Sequence, residues 1–182
     1  WVSGEDAKRI LRIKQSKDTE WSGIIREGSE RFEKVSVAPG ESSAGTLTLS
    51  GTAQNSVALE VEESAKVNVT GKWKGNVMVS IGSVLSGTGT IEGSLTLSDG
   101  AILRANNESE TPLKITGSVT SSENATVNIE IPEGKTTRRF VLITANSGLS
   151  NVNFVCTNSA YSVRVTDTAV TVTRKGFSVI VR

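Results

Sequence analysis

From Leu59 onward the chain can be written in rows of eighteen residues, LEVEESAKVNVTGKWKGN, VMVSIGSVLSGTGTIEGS, LTLSDGAILRANNESETP and LKITGSVTSSENATVNIE. The first column then reads Leu59, Val77, Leu95, Leu113, and the third Val61, Val79, Leu97, Ile115. The ninth reads Val67, Leu85, Leu103, Ser121, with Leu49 one row earlier, and the fifteenth Trp73, Ile91, Ser109, Val127. These columns lie six apart, so apolar residues recur about every sixth position from Val61 to Leu103. An amphipathic helix needs them every third or fourth. Locally the phrases are L-x-L or V-x-V, the period of a strand with one face inward. Ser-Gly, Asp-Gly and Gly-Thr-Gly stand between them and turn the chain. Three short sides per row, each followed by a turn, predict one coil of a solenoid, with like residues stacked on like. Glycines at 71/89 and 75/93 mark corners that need a positive φ or a close approach of neighbouring coils.

The ends of the chain depart from this register. Residues 9–13, R-I-L-R-I, close in alternation and predict a strand in an opening coil rather than a short helix. After Glu130 the eighteen-residue spacing fades. Phe140–Thr144 is almost wholly apolar, and Val163–Val165 and Val170–Val172 alternate about Thr166-Asp167-Thr168. That pattern predicts a hairpin-rich end covering the last coil, since an uncovered strand edge pairs with other chains. The domain is therefore divided as coils over residues 1–134 and a β-cap over 135–182. Trp73 shares a column with apolar residues and is expected to point inward; the competing expectation makes it, between Lys72 and Lys74, a platform for a sugar ring.

Composition agrees with many short strands. The 182 residues are 36% apolar and only 4% aromatic, with three prolines, a balance that disfavours helices and large globular cores. The net charge of +1 gives no case for nucleic acid. The distribution is uneven: residues 135–182 hold seven basic residues and one acid, Asp167. The chain has no histidine, which removes the commonest general base and metal ligand. Cys156 stands alone in an apolar stretch and is expected to be buried and inert. No apolar run reaches the roughly 20 residues of a helical membrane span. The chain opens at Trp1 rather than Met, which suggests a piece of a larger polypeptide.

Several phrases resemble the autotransporter-associated β-strand repeat of bacterial passenger domains: WSGII (Trp21–Ile25), TLTLSG (Thr46–Gly51) and LSGTGTIEGSLTLSDGAIL (Leu85–Leu103). The likeness extends through LKITGSVT, ATVNIEI, FVLITANSGLSNVNF and AVTVTRKG. It departs at residues 52–70, which carry Glu60, Glu62 and Glu63 where the repeat is glycine-rich, and at 27–45. The resemblance implies an all-β, right-handed, single-stranded parallel β-helix that is exported to the cell surface or outside the cell. It implies no catalysis.

The candidate chemistry is correspondingly sparse. Asp99 sits in a Ser-Asp-Gly turn, and Glu92 aligns with Lys74 as an opposite charge one coil away. Hard cations need several convergent oxygens, and no D-x-D-x-D-G run is present. The expectation is no catalytic residue, no metal and no cofactor. Any ligand contact is expected where regularity breaks, at Asn106–Pro112 with Glu108 and Glu110, or on the basic end with Arg138, Arg139, Tyr161, Arg164, Arg174 and Lys175. The partner would be an acidic polysaccharide or host-surface glycan, bound by a monomer. Three functional readings stand: a non-catalytic surface spacer, stalk or adhesin passenger; a carbohydrate-binding or accessory module of a larger polysaccharide-degrading enzyme; and a bactofilin-like cytoskeletal solenoid.

Overall fold

A computed structural model describes residues 9–25, 32–41, 45–54, 56–106 and 109–176. Among these residues the fold is all-β, with no α-helix and one 3₁₀ turn at Leu149–Asn151. Three sheets, A, B and C, are built from strands numbered in chain order. Sheet A holds β1 (Arg9–Gln15), β4 (Phe32–Pro39), β7 (Ala58–Val61), β10 (Val77–Val79), β13 (Leu95–Leu97) and β16 (Val119–Ser121), in that spatial order. Sheet B holds β2 (Thr19–Trp21), β5 (Thr46–Leu49), β8 (Lys66–Val69), β11 (Val84–Gly87), β14 (Ile102–Arg104), β17 (Thr126–Glu130) and β19 (Asn153–Cys156). Sheet C holds β3 (Ile24–Ile25), β6 (Thr52–Ala53), β9 (Lys72–Trp73), β12 (Thr90–Ile91), β15 (Leu113–Ile115) and β18 (Arg139–Thr144), followed by β21 (Ala169–Arg174) and β20 (Tyr161–Val165). The chain thus visits the three sheets in rotation, and every pairing up to Cys156 is parallel.

Dyad alternation produces the core. In β8 and β17 every second side chain is buried, and in β10, β13 and β15 the two outer residues are buried about an exposed middle one. Val35, Leu59, Val77, Leu95 and Val119 are successive partners across sheet A. Leu47, Val67, Leu85, Leu103 and Ile129 do the same across sheet B, and Ala53, Trp73, Ile91 and Ile115 across sheet C. All belong to one contiguous apolar cluster. Trp73 is inside it, as its column implies, and its indole N–H donates to the Val57 carbonyl at 2.9 Å.

The eighteen-residue register holds only in the middle. Val61, Val79 and Leu97 stack as expected, but the next partner of Leu97 is Ser121 and not Ile115. Ile115 instead lies on Ile91 in sheet C, taking the place expected of Ser109, and Leu113 belongs to the same strand. Val127 leaves the Trp73 column and pairs with Phe154. The cause is the segment 105–112, which lengthens that round by six residues, from eighteen between Val79 and Leu97 to twenty-four between Leu97 and Ser121. Six is the length of one side, so the apolar pattern survives while each side moves to the next sheet. A smaller slip at the other end makes Leu47, not Leu49, the partner of Val67.

The corner glycines are explained by close approach. A Cβ on Gly89 would lie 2.2 Å from the Gly71 carbonyl oxygen, and one on Gly93 2.4 Å from that of Gly75. Neighbouring rounds touch backbone to backbone there. At the far end, β20 and β21 form an antiparallel hairpin through Thr166–Thr168, and β21 pairs antiparallel with β18, covering the edge of sheet C. The 3₁₀ turn lies beside β16, with Ser147 bridging to Ser118.

Candidate functional site

Two concave places stand where the parallel stack is interrupted. The first is an open groove of about 220 Å³ on the outer face of sheet B. Successive strands pair Lys66 with Val84 and Val84 with Ile102; one dyad along, Asn68 pairs with Ser86. The groove is bounded by Thr46, Lys66, Asn68, Ser86 and Arg104, and closed at one side by Ala105, Asn106 and Pro132. Val84 faces outward yet is buried, forming an apolar floor. A polar row crosses three rounds: Ser86 Oγ donates to Asn68 Oδ1 at 3.2 Å, and Asn68 Nδ2 approaches Thr48 Oγ1 at 3.5 Å. Arg104 Nε lies 3.5 Å from Glu130, both groups about 40% exposed. Nothing in the apolar periodicity singled out this face, because outward positions carry no periodic constraint.

The second is a cleft of about 290 Å³ at the basic end, lined by Pro132, Glu133, Lys135, Asn158, Tyr161 and Arg174 among others. Arg174 lines it, and Arg138 and Lys175 lie beside Arg174 along the backbone; the Arg174 N–H donates to the Arg138 carbonyl at 2.7 Å. Arg139 and Arg164 share the outer face of sheet C, in adjacent rows through Thr173 and Thr171. All five side chains are exposed. Glu110 accepts a hydrogen bond from Thr137 Oγ1 at 3.2 Å, so the irregular segment reaches the start of the cap. Glu108 lies outside the described residues.

Tyr161 requires a correction. It is buried in the core cluster, and its hydroxyl donates to the Lys135 carbonyl at 3.0 Å. Its inward position on β20, in line with Val163 and Val165, leaves only a margin of the ring on the cleft. Lys135, counted among the basic residues of the cap, is also buried. Its ammonium donates to the Asn106 carbonyl at 2.5 Å and sits 4.7 Å from the Phe140 ring centroid. Cys156 is half-buried, rather than buried as its apolar neighbours suggested.

Several acids hold rounds together. Glu92 pairs with Lys72 at 2.6 Å, and not with Lys74. Asp99 Oδ1 accepts the Thr126 N–H at 2.8 Å, tying its turn to the next round. On sheet A, Lys34 pairs with Glu60, and this hydrogen bond, with the charge of Glu60, raises the lysine pKa. Glu62 accepts from the Ser36 hydroxyl and from Arg12, and the Ser36 bond is the main cause holding its pKa below the ordinary range. Asp167 accepts from the Gly148 N–H at 2.9 Å and Ser150 Oγ at 2.8 Å, which lower its pKa in that order. Among the described residues no three acids or cysteines cluster as a metal site, and no helix is long and apolar enough to cross a membrane.

A scan against family models finds no match for this chain, and searches of curated proteins and of solved structures return none.

Proposed function

We propose that the chain is a segment of a right-handed single-stranded parallel β-helix, exported by a bacterium, that serves without catalysis as a spacer, stalk or adhesive passenger at the cell surface. The observation that carries the reading is the rotation of the chain through three parallel sheets around one apolar cluster. A stack of this kind extends along one axis by about 4.8 Å per round, so sequence length is converted into reach. Three outward ion pairs link neighbouring rounds, Lys34–Glu60, Lys72–Glu92 and Arg104–Glu130. The absence of histidine from the whole chain points the same way, as do the phrases that resemble the autotransporter-associated repeat.

A second reading, an accessory carbohydrate-binding module, draws on the groove over sheet B. Three measurements test the first. Small-angle scattering of the 182-residue chain should give an elongated particle; a compact sphere would overturn the rod. Protease shaving of the producing bacterium should release the segment from intact cells; its retention inside would overturn export. Incubation with acidic and neutral glycans should yield no shortened product, and turnover would end the non-catalytic reading.

A further inference from the structure

We infer that the groove on the outer face of sheet B binds a carboxylated polysaccharide, a uronate chain lying across the strands, with Lys66 and Arg104 as its carboxylate contacts. The inference deepens the adhesive part of the proposed function and rests on that part alone.

Three features select this ligand class. The groove is shallow and open, and at about 220 Å³ it is smaller than the roughly 300–1,000 Å³ of pockets that enclose small molecules. It suits a few units of a chain that passes over it. Its chemistry is that of a sugar site: a buried apolar floor at Val84 for the C–H face of a ring, bordered by the hydroxyls of Thr46 and Ser86 and the amide of Asn68. The polar groups advance one strand at a time, about 4.8 Å, comparable to the length of one monosaccharide unit. The charge is the third feature. Lys66 is half-buried against the groove and has no anionic partner among the described residues. Among the described residues Arg104 is held only by an exposed, loose contact with Glu130 at 3.5 Å, a pair that solvent screens, so most of its planar fork is left to receive a carboxylate. Glu130 repels an anion at one border and sets the side from which the chain is held.

The experiment is calorimetric titration of the 182-residue chain with oligogalacturonate and with its methyl ester, which keeps the backbone and loses the charge, at low and moderate salt. Binding of the acid and not the ester is expected, weakening with salt. Lys66→Gln and Arg104→Gln should each weaken it about ten-fold, the loss of one charge-assisted contact. Arg139→Gln and Arg174→Gln, on the cap, should change it less than two-fold. Equal binding of ester and acid, loss of binding only in the cap variants, or no binding at low salt would each overturn the assignment. Should either groove variant fold poorly, acylation of Lys66 by an amine-reactive reagent, read by mass spectrometry, replaces it: oligogalacturonate should protect Lys66, and unchanged labelling would overturn the site. Failure here leaves the elongated shape and surface exposure intact, since those are measured separately.

Discussion

At the scale of single residues, Trp73 is the largest fully buried side chain among the described residues. It is buried, packed in line with Ala53 and Ile91, and satisfies the buried Val57 carbonyl. Trp73→Ala should cost about 3–5 kcal/mol, as expected for loss of a large aromatic from a packed core. Trp73→Phe fills part of the space but strands the Val57 oxygen, at about 1–3 kcal/mol. Urea unfolding of both variants separates the packing loss from the hydrogen bond; a Trp73→Phe midpoint equal to that of the unsubstituted chain would mean the indole N–H contributes nothing. Glu62 makes the corresponding electrostatic case. Its folded pKa is depressed by Ser36 and then Arg12, so its stabilising contribution is present above the ordinary glutamate value of 4.5 and lost as pH falls below it toward the folded pKa. Ser36→Ala should therefore lower stability at pH 7, with the loss fading as pH falls through the folded pKa, and move the acid-unfolding midpoint to higher pH. A midpoint unchanged by circular dichroism would refute that role.

At the scale of elements, alternation made the strands visible, because a pleated segment with one face inward must repeat every second residue. The hairpin was legible for the same reason: Val163–Val165 and Val170–Val172 alternate about a polar turn. The order of the sides was not. Sheets A, B and C bury residues at the same six-residue spacing, so the six-residue lengthening at 105–112 shifts Ile115 to another sheet while Leu113 and Ile115 stay on the apolar columns. The groove was illegible as well, since outward residues are chosen without periodic constraint. Lys135 and Tyr161 looked like surface chemistry because charge and hydroxyl are normally exposed. They are buried because each polar atom finds a backbone partner, at Asn106 and from Tyr161 to Lys135. The hairpin itself has a protective role: β21 occupies the outer edge of β18. Truncation after Ala160 should bare that edge and produce self-association at concentrations where the full chain is monomeric. Analytical ultracentrifugation reads this directly, and a truncated chain that remains monomeric would show that the edge is harmless.

At the scale of the whole molecule, stability is shared between neighbouring rounds. Within the parallel stack each strand pairs with the one before and the one after it in its own sheet, the condition under which a repeat protein behaves as a one-dimensional chain of interfaces. The position of a lesson along the stack then matters as much as its chemistry. Leu97 is fully buried in the middle, between Val79 and Ser121. Leu97→Asp places an unpaired charge in that dry interior and divides the stack into two short pieces, each with too little core to stand alone. The whole chain should unfold. Thr96→Asp, on the exposed face of the same strand, should change stability by no more than about 0.5 kcal/mol. Ile25→Asp puts the same charge at the first round, where Ile25 is only partly buried against Ala53. It should loosen that round and leave the rest folded. Hydrogen exchange distinguishes the three: protection lost everywhere, nowhere, and only up to about β3. Global loss of protection from Ile25→Asp would show that the stack folds as one indivisible unit and that the nearest-neighbour account is wrong.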